Sequence, residues 1–549
     1  MRRGLAGALV GVALVAVAVA PPPATPASPE LFVPVGSATL VCPEITVTDE
    51  SATAVAAVVA PVSDQGAQEG QEPEGSEGSE GAGGSDGAGD SAGAGDEDAS
   101  DSQDGSAVLR TIDGARDLAE VAEPGRPVTL LVADRSAPPI ITLASGSWAP
   151  DAIAGLVGRE LDGAGEGIFS TSCPPPGDDW WFVGAGSQLG RSTALLVSNP
   201  SVEPARFDIS LYASSGIVAA LAGKGISLGP QSQVRLRLDA LAPDEELLAV
   251  HVQATSGRVA AALRDVSEVR RDSPQGVDYI PAAQPPTTRQ WLGGIPGGDG
   301  ARDLVLVNPG TQFAAVQTSL LTEEGPTTLE DLPAIAVPAG SVVTIPLARV
   351  LDGRAGTLEM ISDVPITGGV RSTWGAARRD VSWSSSVPVV VDPTPLAGAG
   401  AVPGGPGLTT TVTVVAPQAA VTGTLSVMPT GSQEESIFAA EGGPLVDGTV
   451  ARDVEGPTEI ISGAWSGIQV VPMTIPGGTQ RTITVPGTEG VAVVHLAWRS
   501  DPGSGPAVVS HLTLNEEAAL ATGYSWWPTA SAVRVAAVRE DLGTLAPAG

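Results

Sequence analysis

Lysine is almost missing from this chain: Lys224 is the only one in 549 residues, and the remaining basic charge is arginine. With 28 Lys and Arg against 62 Asp and Glu, the formal net charge is −34. Displacing phosphate counterions needs clustered cations, so a nucleic-acid footprint is excluded, and docking on anionic lipid head groups is disfavoured for the same reason. There are two cysteines, which suits an exported chain held by burial rather than by a framework of bridges. Histidines number three, and neither H-E-x-x-H nor C-x-x-C occurs, so a zinc site lacks its ligands. No strand-to-helix G-x-S-x-G elbow is present, and no nucleophile, base and orienter can be assembled at a sensible spacing. Nothing calls for a cofactor.

What is present is a repeat, clearest from Arg289 to Gly375. Short apolar runs alternate with Gly-, Pro- and Asn-rich breaks, and helical periodicity is nearly absent. Asn308-Pro309 ends one apolar run; Asn199-Pro200 ends another 109 residues earlier, and Ala416-Pro417 a third 108 residues later. A second marker precedes a later run in each copy: Gly229-Pro-Gln-Ser232, Pro338-Ala-Gly-Ser341 and Pro476-Gly-Gly-Thr479. The wider gap before the last of these predicts an insertion in the third copy. Units of about a hundred residues with about seven strands predict an all-β chain of tandem immunoglobulin-like sandwiches.

The order of strand, NPG, strand, PAGS, strand and SDxP resembles the tandem β-modules of exported bacterial proteins. The chain after residue 30 also resembles an uncharacterised family of exported actinobacterial proteins, in which a CPxPGxDWWFVG segment opens the first clear module. Here that segment is Cys173-Pro-Pro-Pro-Gly-Asp-Asp-Trp-Trp-Phe-Val-Gly184. The resemblance implies location and fold, with no activity or catalytic residue to carry over. The expected organisation is a signal or anchor with a Pro/Ala spacer over 1–30 and a degenerate β-domain over 31–172. Three sandwiches follow over 173–286, 287–398 and 399–549, the last with an insertion at 430–463. Whether 31–172 is a fourth copy is left open, although its exit, IFSTSCPPPGDDWWF, parallels DYIPAAQPPTTRQWL.

Met1-Arg-Arg-Gly followed by sixteen small or apolar residues has the anatomy of a secretory signal. Pro21 follows the A-x-A site, a poor cleavage context, so the segment is read either as cleaved or as an anchor. The stretch 63–106 is Gly, Ser, Asp and Glu without basic or aromatic residues and cannot bury enough surface to fold. Its acids match neither an EF-hand nor a calcium β-roll, so it reads as a solvated insertion within one domain. Cys42 before it and Cys173 after it are expected to pair in an oxidising exterior, the alternative being two separate buried thiols.

His251, Met360 and His495 share one strand position, which makes it a packing position; His511 beside Ser510 lacks an orienting carboxylate. The loop Gly184–Gly190 superficially suggests a phosphate cradle, but its counterpart 293–300 reads as a hairpin loop and no helix follows either. Ten tryptophans remain. Trp181 and Trp291, 110 residues apart, read as core anchors or as packing between modules, whereas Trp374, Trp383 and Trp526 are the candidates to offer exposed faces to sugar rings. The expected function is an exported, envelope-tethered, non-catalytic scaffold or interaction protein, its partners envelope proteins or cell-surface glycans. The membrane would be touched only through residues 4–20 if they are not cleaved. A glycan-binding stack is the alternative, and a hydrolase with a carboxylate site between modules the remote one.

Overall fold

The computed structural model describes residues 31–44, 51–60, 105–132, 138–160, 165–270, 273–329, 332–374, 380–390, 396–397, 400–430, 459–460, 468–487, 491, 493–515, 520–528 and 532–535. The N-terminal segment read as a signal or anchor, most of both expected insertions and Trp465 lie outside them. Two compact units result, one of Met1–Val33 with Val533–Gly549, the other Pro34–Ala532. The described residues of the first lie in a two-stranded pairing of Leu31–Pro34 with Ala532–Val535.

The second unit is built from four successive pairs of antiparallel sheets. Counting the main strands within a pair, and leaving out the short Ile226–Leu228, Ile335–Val337 and Glu459–Ile460, one sheet runs first, sixth, third, fourth, and the other fifth, second, seventh, eighth. In the second pair these are Asp179–Ala185, Leu248–Ser256, Ala205–Ala213 and Gly216–Val218, facing Ser232–Arg237, Arg191–Asn199, Ala260–Arg270 and Ser273–Ile280. The same order recurs in the first pair, where Ser37–Cys42 and Ser51–Val59, before the acidic tract, are hydrogen-bonded to Ile140–Gly146 and Ala152–Glu160 after it. Gly105 and Ser106, expected inside the acidic insertion, belong to the strand Gly105–Thr111. The second, third, fifth and sixth strands keep the pairing of the immunoglobulin core, while the first flanks the sixth and the seventh flanks the second. In the third pair the sixth and seventh strands are one 18-residue strand, Gly356–Thr373, which pairs in one sheet up to Ile366 and in the other from Thr367.

Both sequence markers have a physical cause. Asn199 Nδ2 donates to the carbonyls of Glu203 (2.8 Å) and Gly229 (2.9 Å), and its Oδ1 accepts from the Ser201 amide. Asn308 repeats this with Gln312, Val337 and Gly310. The hydroxyls of Ser232, Ser341 and Thr479 each bond the carbonyl three residues back, at 2.8, 2.9 and 2.8 Å. The residue before each hydroxyl has a left-handed backbone: Gln231, Gly340 and Gly478. The two markers are also cross-strand partners, Asn199 with Ser232, Asn308 with Ser341 and Ala416 with Thr479. The repeat is therefore one corner, built three times.

Each pair has its own apolar core. Its eighth strand is a sheet edge, and exposed edges invite unwanted pairing. Here Gly167–Ser172 packs against Ser273–Ile280 and Leu520–Ser525, and Val381–Ser385 packs against the same two. Sequence order predicts contacts between successive modules, but the fourth pair also returns to the first. Thr129 and Thr430 are 2.9 Å apart through their hydroxyls, and Arg499 forms an ion pair with Asp151.

Candidate functional site

Cys42 and Cys173 form a disulfide, with Cα atoms 4.4 Å apart across 131 residues. It ties the first strand of the first pair to the segment after its eighth, so both sheets are held at their edges. Pro174 continues the clamp by accepting the Val41 amide at 2.9 Å.

The tryptophans expected to present faces to a glycan are otherwise engaged. Trp383, 2 % exposed, leaves its own sheet pair and enters the core of the second, with the Arg191 and Arg371 guanidinium groups 5.5 and 5.8 Å from its ring. A Cβ on Gly184 would collide with that ring, so the glycine of the FVG motif serves packing between modules. Trp526, 1 % exposed, donates through Nε1 to His511 Nδ1 at 2.8 Å within the fourth core. Trp374 is half-buried, and the Arg302 guanidinium lies 4.4 Å over its ring. Large rings at module edges are recruited to interfaces because only they fill the space between sheet pairs. Trp181 and Trp291 are buried, and Trp181 stacks on His251.

The glycine loop 293–300 has the opposite polarity to a phosphate cradle. It wraps Arg302, whose guanidinium donates to the carbonyls of Pro296, Gly297, Asp299, Ala301 and Thr373. Converging carbonyls hold a cation and repel an anion. Burial pushes Arg302 down to about 10, which still leaves it charged near neutrality. In the loop after Trp181, Arg191 instead bonds Asp265 and the Gly184 carbonyl.

The expected shared position does not hold: Trp181 faces His251 across the ladder but Trp291 faces Glu359, so Met360 points into the third core, one residue out of step. His495 is fully covered, and His251 is bonded to Asp179 at 2.7 Å. Burial pushes His495 and His511 down to about 3, so both are neutral. Neither ring nitrogen of His495 has a partner among the described residues. Such groups are ill placed as general bases.

Sequence reasoning missed the buried carboxylates where the eighth strands meet. Asp380, 2 % exposed, accepts from the amides of Ile168 (3.3 Å), Val381 (2.9 Å) and Ala521 (2.9 Å), which belong to the first, third and fourth pairs. It also lies against Gly276 of the second pair, where φ is +96° and a Cβ would strike the carboxylate. Asp278, wholly buried, accepts from the Tyr279 amide and from Thr522 Oγ1, which in turn meets Ser170 Oγ at 2.9 Å. Burial pushes both carboxyls well above the usual range; for Asp278 the neighbouring Asp380 adds to this, and for Asp380 Glu166 does. The available signal was a lone Asp beside an apolar run, Asp-Tyr-Ile near the end of Ser273–Ile280 and Asp-Val-Ser just before Val381–Ser385. Among the described residues no cluster of three or more His, Cys, Asp or Glu side chains could hold a metal ion.

A cleft of about 590 Å³ opens between the first and second pairs, within the usual range for ligand sites. Its walls include Ser37–Leu40, the run Cys173–Trp180, and Tyr524 and Trp527 from the fourth pair. Neither Asp278 nor Asp380 lines it. The cysteine-proline segment that opens the second module thus serves twice, as clamp and as cleft wall.

No curated protein and no solved structure matches the chain. Residues 128–439, more than half of its length, match the family of unknown function DUF5719, and the chain belongs to that family.

Proposed function

We propose that this is an exported, non-catalytic scaffold or interaction protein of the cell envelope, of actinobacterial type, tethered or released at its N-terminus. The observation that carries this reading is the Cys42–Cys173 bond at the edge of the first sheet pair, since structural disulfides persist in oxidising compartments. The secretory character of residues 1–20 agrees with it. So does the use of buried polar groups: Asp278, Asp380, Arg302 and Asp265 are spent on joining sheet pairs or on bracing loops. The glycan-binding alternative loses its main support with Trp383 and Trp526 in the core. A carboxylate hydrolase would need its pair in a cleft, and Asp278 and Asp380 are enclosed.

The test uses intact cells, with thiols alkylated before lysis and the chain digested by protease from outside. Export predicts a Cys42–Cys173 linked peptide by mass spectrometry and cleavage of the modules. Two alkylated cysteines in a chain protected from protease would sink the reading. Co-sedimentation with purified envelope glycans completes the test; saturable binding abolished by Trp374→Ala would move the protein into the glycan-binding class.

A further inference from the structure

The cleft wall contains a sheet edge with backbone groups turned towards open space. Ser37–Cys42 has one hydrogen-bonded neighbour, Ile140–Gly146. In an antiparallel pair, alternate residues direct their N–H and C=O to the partner and the others direct them away. The Gly146 amide donates to the Gly36 carbonyl at 3.0 Å, which assigns Ala38 and Leu40 to the inward set and Ser37, Thr39 and Val41 to the outward set. Val41 agrees, because its amide is taken from the far side by Pro174. Among the described residues, no backbone bond reaches the outward groups of Ser37 or Thr39, and both residues line the cleft.

We propose that the cleft binds an extended peptide segment of a partner protein, added as a strand to the Ser37–Thr39 edge. The chain's own Pro174 already forms the first rung of such an addition. The next residues, Pro175 and Pro176, have no N–H with which to continue it, so the edge is left open there. Val35, Ala38, Pro150, Pro175 and Trp527, which line the cleft and keep exposed surface, supply apolar walls for alternate side chains of the guest, and main-chain bonds supply the affinity. A second copy of this chain is a poor occupant, because the edge lies inside a cleft between sheet pairs where a single strand fits and a folded sheet edge does not. This inference rests on reading the protein as an interaction protein.

The probe is a displayed library of random dodecapeptides, panned on the full chain, followed by affinity measurement with the selected peptides. Thr39→Pro removes the outward donor without touching the ladder to Ile140–Gly146, and proline is tolerated on an edge strand. Thr39→Ala keeps the donor and removes the side chain. The expected result is peptides whose affinity falls about tenfold in Thr39→Pro and stays within about twofold in Thr39→Ala, as loss of main-chain bonding requires. Amide exchange at Ser37 and Thr39 should slow when peptide binds. An intact Cys42–Cys173 bond and unchanged tryptophan emission show that each variant is folded. Failure to select peptides, equal binding by Thr39→Pro, or self-association that Thr39→Pro abolishes would each overturn the proposal. None of these outcomes bears on export, which the cell experiment tests separately.

Discussion

At the residue scale, Arg302 shows how a buried charge is retained. Its planar fork reaches five carbonyls of the surrounding loop and strand, and Trp374 covers its face. A lysine carries the same charge but has three donors on one atom and no flat face to stack. Arg302→Lys is therefore expected to destabilise by about 2–4 kcal/mol, seen as a lower urea midpoint at unchanged slope. The junction aspartates make a pH prediction. A carboxyl whose folded pKa is raised contributes stability that is complete below its unfolded value, about 3.9, and is lost as pH rises through the folded value. Burial raises Asp278 in this way. Asp278→Asn cannot ionise, yet it keeps an oxygen for the Tyr279 amide. The mutant should lose less stability than the wild type between pH 5 and pH 8, in urea titrations at the two values; parallel losses would refute this.

At the element scale, the corner made by the Asn-Pro and Pro-x-Gly-Ser markers explains why those residues recur. The asparagine satisfies carbonyls that the turn leaves without partners, and the hydroxyl opposite it closes the neighbouring turn. The copies differ where it should matter. Gln231 holds the left-handed backbone that Gly340 and Gly478 hold elsewhere, at φ +48° against +67° and +79°. A Cβ disfavours that region by about 1 kcal/mol. Gln231→Gly should then raise the unfolding midpoint and Gly340→Ala should lower it, each by the equivalent of about 1 kcal/mol; shifts of the same sign would show that the corners are not equivalent.

At the scale of the whole molecule, four sheet pairs are joined through their eighth strands and by ion pairs and hydrogen bonds along their flanks. Arg264 meets Glu160 between the first and second pairs, and Thr357 meets Gln480 between the third and fourth. Asp380 touches all four. The disulfide acts at this scale too, since it closes a loop of 131 residues. Restricting an unfolded chain by a loop that long is worth about 4 kcal/mol. Cys173→Ser should cost about that much, and earlier proteolysis should begin in residues 31–172; cleavage starting in the fourth pair instead would show that the bond does not hold the first.

The sequence by itself determined the strand content and the 109-residue period, and left Cys42 and Cys173 either paired with each other or as separate thiols, because alternation, turn chemistry and the scarcity of cysteine are local or countable properties; the fold brings the two together. Equal spacing also pointed to equal environments for Trp181 and Trp291, and both are buried between successive sheet pairs, as packing between modules rather than as core anchors. Tertiary structure alone decided the fates of Trp383, Trp526 and Trp374, because a ring at a module edge faces either solvent or a neighbouring module, and that depends on contacts between residues hundreds of positions apart. Asp278 and Asp380 were illegible for the same reason. Each reads as an ordinary polar residue beside an apolar run, and becomes a buried joint once the sheet edges converge, bringing three amides around Asp380 and an amide and a hydroxyl onto Asp278.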